Sequence, residues 1–131
     1  MNEGKIVRVR DVMNSRFDIV EGRITVQEAM SIMKPKEACC LIVDKRNEDD
    51  EYGILLPADI AKKVVAKDRS PKRVNVYEIM AKPVISVAPG MDIRYCARLF
   101  ENFGLSLAPV LADGKVVGVV TYNDMVLHGF N

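Results

Sequence analysis

The sequence predicts a mixed α/β (α+β) fold: two β-α-β-β-α repeats packed about a pseudo-twofold axis through their sheets. Three observations predict it. A pattern recurs in register, with Met80, Ile93 and Phe100 each 67 residues after Met13, Val26 and Met33, and Gly118 and Asp124 each 65 after Gly53 and Asp59. A constant separation that changes once, across one loop, argues for a duplication. Next, the stretch Lys115 to Val126 (KVVGVVTYNDMV) begins as a near-continuous apolar run and breaks at Thr121-Tyr122-Asn123-Asp124 before turning apolar again. Such a run reads as a strand buried on both faces that leads into a helix. Between the strands lie apolar residues at helical spacing. A half of about 60 residues is marginal alone, so the two sheets are expected to cover one another's faces.

The elements follow in order. Arg10 to Met13 reads as a helical turn and Phe17 to Val20 as a strand. Thr25 caps a helix, with Glu28 completing a capping box, and Val26, Ala29, Met30 and Met33 form its apolar face. Pro35 is expected to end it. Cys39 to Val43 and Tyr52 to Leu56 are strands around a polar, acidic loop. Pro57 opens a helix running from Asp59 to Ala66. The charged run Lys67 to Arg73, which contains Ser-Pro, reads as a linker. The plan then repeats. Val76 to Met80 is a helical turn, Val84 to Val87 a strand and Pro89-Gly90 a turn. Asp92 caps a helix with the face Ile93, Cys96, Ala97, Leu99, Phe100 and Phe103, and Gly104 ends it. Leu107 to Ala112 and Lys115 to Thr121 flank a hairpin turn at Asp113-Gly114, and a short helix follows from about Asn123. The first repeat spans 1–67, the linker 68–75 and the second repeat 76–131.

Composition excludes several function classes. With 49% hydrophobic and 28% charged residues the chain is globular and not disordered. A net charge of +1 gives no electrostatic case for nucleic acid or a membrane surface. No apolar run approaches the ~20 residues of a membrane span. The N-terminal MNEGKIVRVRDVM lacks a signal-peptide core, so a cytoplasmic location is expected. Cys39, Cys40 and Cys96 are odd in number and contain no Cys-x-x-Cys, so they read as buried, reduced thiols. With His128 the single histidine, no metal site is expected. There is no Gly-x-Ser-x-Gly and no phosphate-binding glycine loop, so no enzyme activity is expected.

A buried strand that ends in Thr-x-x-Asp places a hydroxyl and a carboxylate where α/β proteins hold small ligands. A carboxylate accepts from two donors at once. The plain alternative for Asp124 and Asp59 is a carboxylate in the first turn of a helix, favoured by its dipole. Packing accounts for Met30, Met33, Met80 and Met125. The cations Lys62, Lys63, Lys67, Arg69, Lys72 and Arg73 read as a solvated helix end and linker, and Glu48 to Glu51 as a solvent-exposed loop lacking calcium-loop spacing. Tyr122 stacks on a base or lies on the surface.

These residues resemble a known family. Val12-Met13, Thr25-Val26 with Ala29, Ile42-Val43-Asp44, Gly53-Ile54-Leu55 and Asp59 look like one cystathionine-β-synthase (CBS) domain. Ile79-Met80, Val87 with Pro89, Pro109-Val110 and Gly118-Val119-Val120-Thr121 with Asp124 look like a second. Together they resemble a tandem pair, a Bateman module, from about Arg8 to Leu127. The resemblance implies a non-catalytic regulatory module binding AMP, ADP, ATP or S-adenosylmethionine in clefts between the repeats. It implies no other cofactor, a homodimer as the expected assembly, and a regulated partner protein. Asp124 and Thr121 would hold the ribose, with Phe17, Asp18 and Ile19 along Phe17–Val20, and Val119, beside the adenine. Asp59 would hold a second ribose less well, because Leu56 replaces the hydroxyl, with Ile85 (in Val84–Ser86) beside that adenine. Arg16 and Lys82 are the phosphate candidates. The alternative is a structural homodimerisation module with degenerate sites.

Overall fold

The computed structural model describes residues 5–130. The chain divides into two compact units: a nested unit, Arg16–Val84, and a split unit made of Met1–Ser15 with Ile85–Asn131.

In the nested unit, β1 (Phe17–Val20) pairs in parallel with β2 (Cys40–Val43), which pairs antiparallel with β3 (Gly53–Leu55). Helix α2 (Val26–Lys36) begins at the expected capping box: the Glu28 N–H donates to Thr25 Oγ1 (3.1 Å) and the Thr25 N–H to Glu28 Oε1 (3.2 Å). It does not end at Pro35. Proline keeps a helical φ and removes only its own donor, so the last turn survives. The stop is Glu37, left-handed at φ 48°, with its N–H turned back to Lys34. Helix α3 (Pro57–Ile60) opens with proline at its first position. The expected helix through Ala66 instead widens over Ala61–Val65, where the Ala66 N–H reaches Ala61 O five residues back (2.8 Å). Ile60 and Val64 both reach the core, which is built from Val20, Val26, Ala29, Leu41, Val43 and Leu55 and their neighbours. Met30 and Met80 pack at its edge. A 3₁₀ turn, Pro71–Arg73, lies within the expected linker, and α4 (Val76–Ile79) follows it.

In the split unit, α1 (Val9–Val12) accompanies α5 (Ile93–Phe103), the hairpin β4 (Leu107–Ala112) and β5 (Lys115–Thr121), and α6 (Tyr122–His128). Asp92 caps α5 through the Arg94 N–H, and Gly104 (φ 65°) ends it. Asp113 and Gly114, both at positive φ, form the tight hairpin turn. The core is Val9, Val12, Val87, Ile93, Cys96, Phe100, Ala108, Val110, Val120 and Met125, with Val7.

Four expectations are corrected here. Val84 to Val87 is no strand: only Val87 bridges, to Val110. Pro83 and Pro89 flank the segment and cannot donate to a ladder. Phe103, the last residue of α5, is 60% exposed. The β5 run is buried only from Gly118 to Val120, and Val117, before it, is exposed. Cys39 precedes β2 and is only partly buried, while Cys40 and Cys96 are buried. Burial pushes the Cys40 thiol up to about 12 and the Cys96 thiol to about 11, so both stay protonated.

The units of packing differ from the units of repetition. The Val76 N–H donates to Ile24 O (2.9 Å) and Tyr77 N–H to Gly22 O (2.9 Å); 67 residues away in each register, Val9 N–H donates to Met91 O (2.8 Å) and Arg10 N–H to Pro89 O (2.9 Å). Ala81 bridges Ile54 as Asn14 bridges Val119. Each short helix thus docks on the strands of the other copy. This explains the Met and Gly spacing read in the sequence. A Cβ on Gly53 would lie 2.7 Å from Met80 Sδ, and one on Gly118 2.9 Å from Met13 Sδ. Glycine lets these methionines cross close to the strand, and a side chain there would push the methionine tail aside.

Candidate functional site

The apolar run of β5 ends at Thr121, whose extended backbone (φ −123°) caps α6. Thr121 Oγ1 accepts from the Asp124 N–H (3.1 Å). The Asp124 carboxylate reaches back, so that Oδ2 accepts from the Thr121 N–H (2.9 Å) and the Thr121 hydroxyl (2.9 Å). A third donor is Asn14 Nδ2, at 2.7 Å. Asp124 is 6% exposed. All three bonds fall on Oδ2, and Oδ1 accepts none among the described residues. The first-turn reading and the ligand reading are therefore compatible. One oxygen completes the helix cap, and the other keeps its acceptor capacity on a rigidly held carboxylate.

The corresponding end of β3 is poorer. Asp59 Oδ2 accepts from the Leu56 N–H (2.9 Å), the one bond at this carboxylate among the described residues. Asp59 is only partly buried. Leu56 stands where Thr121 does, and Ala81 stands where Asn14 does. Asn14 was not singled out in the sequence. The signal was present in the 67-residue register, which aligns a polar Asn14 with an apolar Ala81.

The other sequence-predicted residues distribute as follows. Val119 is buried in β5, where its backbone pairs with Asn14 (2.8 and 3.0 Å). The split unit thus gathers Asp124, Thr121 and Val119, with Ile85 exposed on an irregular segment. Arg16, Phe17, Asp18 and Ile19 line up along the start of the nested unit, the Arg16 carbonyl accepting from the Cys39 N–H (2.7 Å). Asp18 accepts from Lys36 Nζ (2.8 Å), and that bond holds its carboxyl below the usual carboxylate range. Ile19 is exposed. Lys82 is tied to Asp50 Oδ1 (2.7 Å), so this phosphate candidate already carries a carboxylate. That contact corrects the view of Glu48 to Glu51 as wholly solvated, since the Asp50 side chain is 8% exposed and also accepts from Arg46 Nε (3.1 Å). Tyr122 packs edge-on against Phe100, with centroids 5.2 Å apart. Among the described residues no three His, Cys, Asp or Glu side chains cluster as metal ligands, and no helix is long and apolar enough to cross a membrane.

The CBS domain family model matches twice, over residues 9–66 and 76–129. An uncharacterized protein of Methanopyrus kandleri is 32% identical over 114 residues, 86% of this chain and 58% of its own length. The chain thus spans under two thirds of that curated relative. Among solved structures, a hexameric CBS-CP12 protein from bloom-forming cyanobacteria superposes with TM-score 0.89 and 36% identity, over 92% of this chain and 67% of that one. The CBS domain pair of protein MJ0100, solved in complex with 5'-methylthioadenosine and S-adenosyl-L-methionine, has TM-score 0.79 and 25% identity over 94% and 95% of the two chains.

Proposed function

We propose that this chain, which belongs to the CBS domain family, is a non-catalytic regulatory module that binds an adenosine-containing ligand through Asp124. The observation that carries the reading is the grip on that carboxylate. Three donors fix Oδ2 and leave Oδ1 to accept from a ribose hydroxyl. A rigidly held carboxylate with one oxygen still open to accept suits a donor-bearing ligand. The likeness to a CBS pair solved with methylthioadenosine and S-adenosylmethionine supports the adenosine class. Binding would shift the population of conformations that a partner protein reads. The three free cysteines suit a reducing, cytoplasmic setting.

Isothermal titration calorimetry with AMP, ADP, ATP and S-adenosylmethionine tests the reading. At least one ligand binds, Asp124→Ala abolishes that binding, and Asp59→Ala leaves most of it. Binding by none of the four, or an unaltered affinity in Asp124→Ala, overturns the proposal.

A second reading, a homodimerisation module, is favoured by the apolar side chains that α5 and α6 leave exposed: Tyr95, Phe103, Val126 and Leu127. A monomer in sedimentation at high concentration overturns it.

A further inference from the structure

The nested unit holds a groove of about 660 Å³ that the Asp124 reading does not use. Val43, Met80 and the Gly22 backbone line it, with Tyr77 as the aromatic wall. Arg23, Lys45, Arg46 and Lys82 supply four cations, against two lining carboxylates, Glu21 and Asp44. We propose that this groove is a second ligand site, separate from Asp124, for a small organic anion with a flat apolar body.

Three features distinguish it from a surface irregularity. The loop from Asp44 to Tyr52 is what breaks the register of the duplication from 67 to 65, and it brings Asp44, Lys45 and Arg46 to the groove. The other copy closes the same turn with Asp113-Gly114. The groove therefore combines residues of the shared frame, Gly22, Tyr77 and Met80, with a loop wall that the other copy does not have. Next, one of the loop's acids is spent inward, while Glu48, Asp49 and Glu51 stay exposed. Asp50, partly buried with its side chain 8% exposed, holds both Lys82 Nζ (2.7 Å) and Arg46 Nε (3.1 Å). One carboxylate fixes two cations and neutralises one of them, so Arg46 and Lys82 are held in place with one net positive charge between them, while Arg23 is paired with Glu21 (2.6 Å). Lastly, Tyr77 presents a 57% exposed ring from a pinned backbone, its N–H donating to Gly22 O (2.9 Å). The other copy has Arg10 at that position.

The ligand chemistry follows from this lining. Arg46, whose side chain is largely exposed, offers charge-assisted bonds to a phosphate or carboxylate, with Lys82 held beside it by Asp50. Tyr77, the Met80 thioether and Val43 offer a face to a flat ring. The volume lies within the roughly 300–1,000 Å³ of small-molecule sites.

Phenyl phosphate is the probe, followed by amide chemical shifts on the full chain. Saturable shifts are expected at Gly22, Lys45 and Tyr77, with tighter binding than for either inorganic phosphate or phenol. Tyr77→Ala and Arg46→Gln alter exposed side chains and each weaken binding about tenfold, whereas Asp124→Ala leaves it unchanged. The proposal is overturned if no saturable shift occurs at these amides, or if inorganic phosphate binds as well. Shifts confined to Thr121–Asp124 that Asp124→Ala removes, or unaltered binding in both groove variants, also overturn it.

Discussion

The end of β5 and the end of β3 are the same place in two copies of one plan, and they have been equipped differently. At β5, Thr121 and Asn14 bring three donors to one oxygen of a buried aspartate. At β3, Leu56 and Ala81 stand in the corresponding positions, and Asp59 receives a single backbone N–H. The frame around both ends is kept. Met80 crosses Gly53 as Met13 crosses Gly118, and the short-helix N–H groups dock on matching carbonyls. Packing explains the contrast. A side chain at either glycine would displace the methionine tail that crosses it, whereas a leucine at position 56 leaves the backbone cap of Asp59 intact. Between the two copies the frame is kept and the site is not.

The largest effect that tests this comparison lies in the two cores. Phe100 is fully buried, and its counterpart is Met33, 8% exposed. Phe100→Ala is expected to cost about 3–5 kcal/mol, and Met33→Ala a loss toward the lower end of about 2–5 kcal/mol. Urea denaturation of both variants checks the order, and a costlier Met33 change would mean that burial misjudges the copies. A smaller effect sharpens the contrast at the sites. Asn14→Ala removes one donor from a buried carboxylate and should cost about 1–3 kcal/mol, together with weaker nucleotide affinity by calorimetry. The reverse graft, Leu56→Thr with Ala81→Asn, supplies Asp59 with the missing donors and should add a second bound nucleotide. Unchanged stoichiometry in the graft would show that these donors do not set the difference.

The smallest effect concerns the loop present in one copy only. Lys82, then Arg46, hold the Asp50 carboxyl well below its ordinary 3.8. A depressed folded-state value means that the contribution is complete above 3.8 and is lost as pH falls below it toward the folded value. The stability gap between the wild type and Asp50→Asn should stay flat from about pH 7 to about pH 4 and narrow only below that. Narrowing nearer neutrality would mean that Asp50 is not the group that titrates.

Much of this was legible in the sequence. The capping box at Thr25, the glycine stop at Gly104 and the Asp113-Gly114 hairpin are local signals, and each appears where its residues predict. The strand expected at Val84 to Val87 failed because pairing depends on a neighbour, and only Val87 finds one. Asp50 looked solvated because its partner Lys82 is distant in sequence. Asn14 escaped for the same reason: a lone asparagine gains meaning only when the fold brings it to Asp124, 110 residues on. The exchange of short helices between copies is invisible to periodicity, which marks the residues that are buried and not the copy they pack against.

That exchange sets an order of events during synthesis. Every strand of the nested unit lies in one contiguous stretch, so its pairing is complete once Val84 has left the ribosome. The α1 segment emerges earlier than any of it, yet its docking carbonyls at Pro89 and Met91 and its strand partner Val119 are made last. Until then Val9 and Val12 have nothing native to bury them. A pause or truncation in translation before Val119 would therefore leave an exposed apolar leader on a finished nested unit, a state that favours chaperone capture over release.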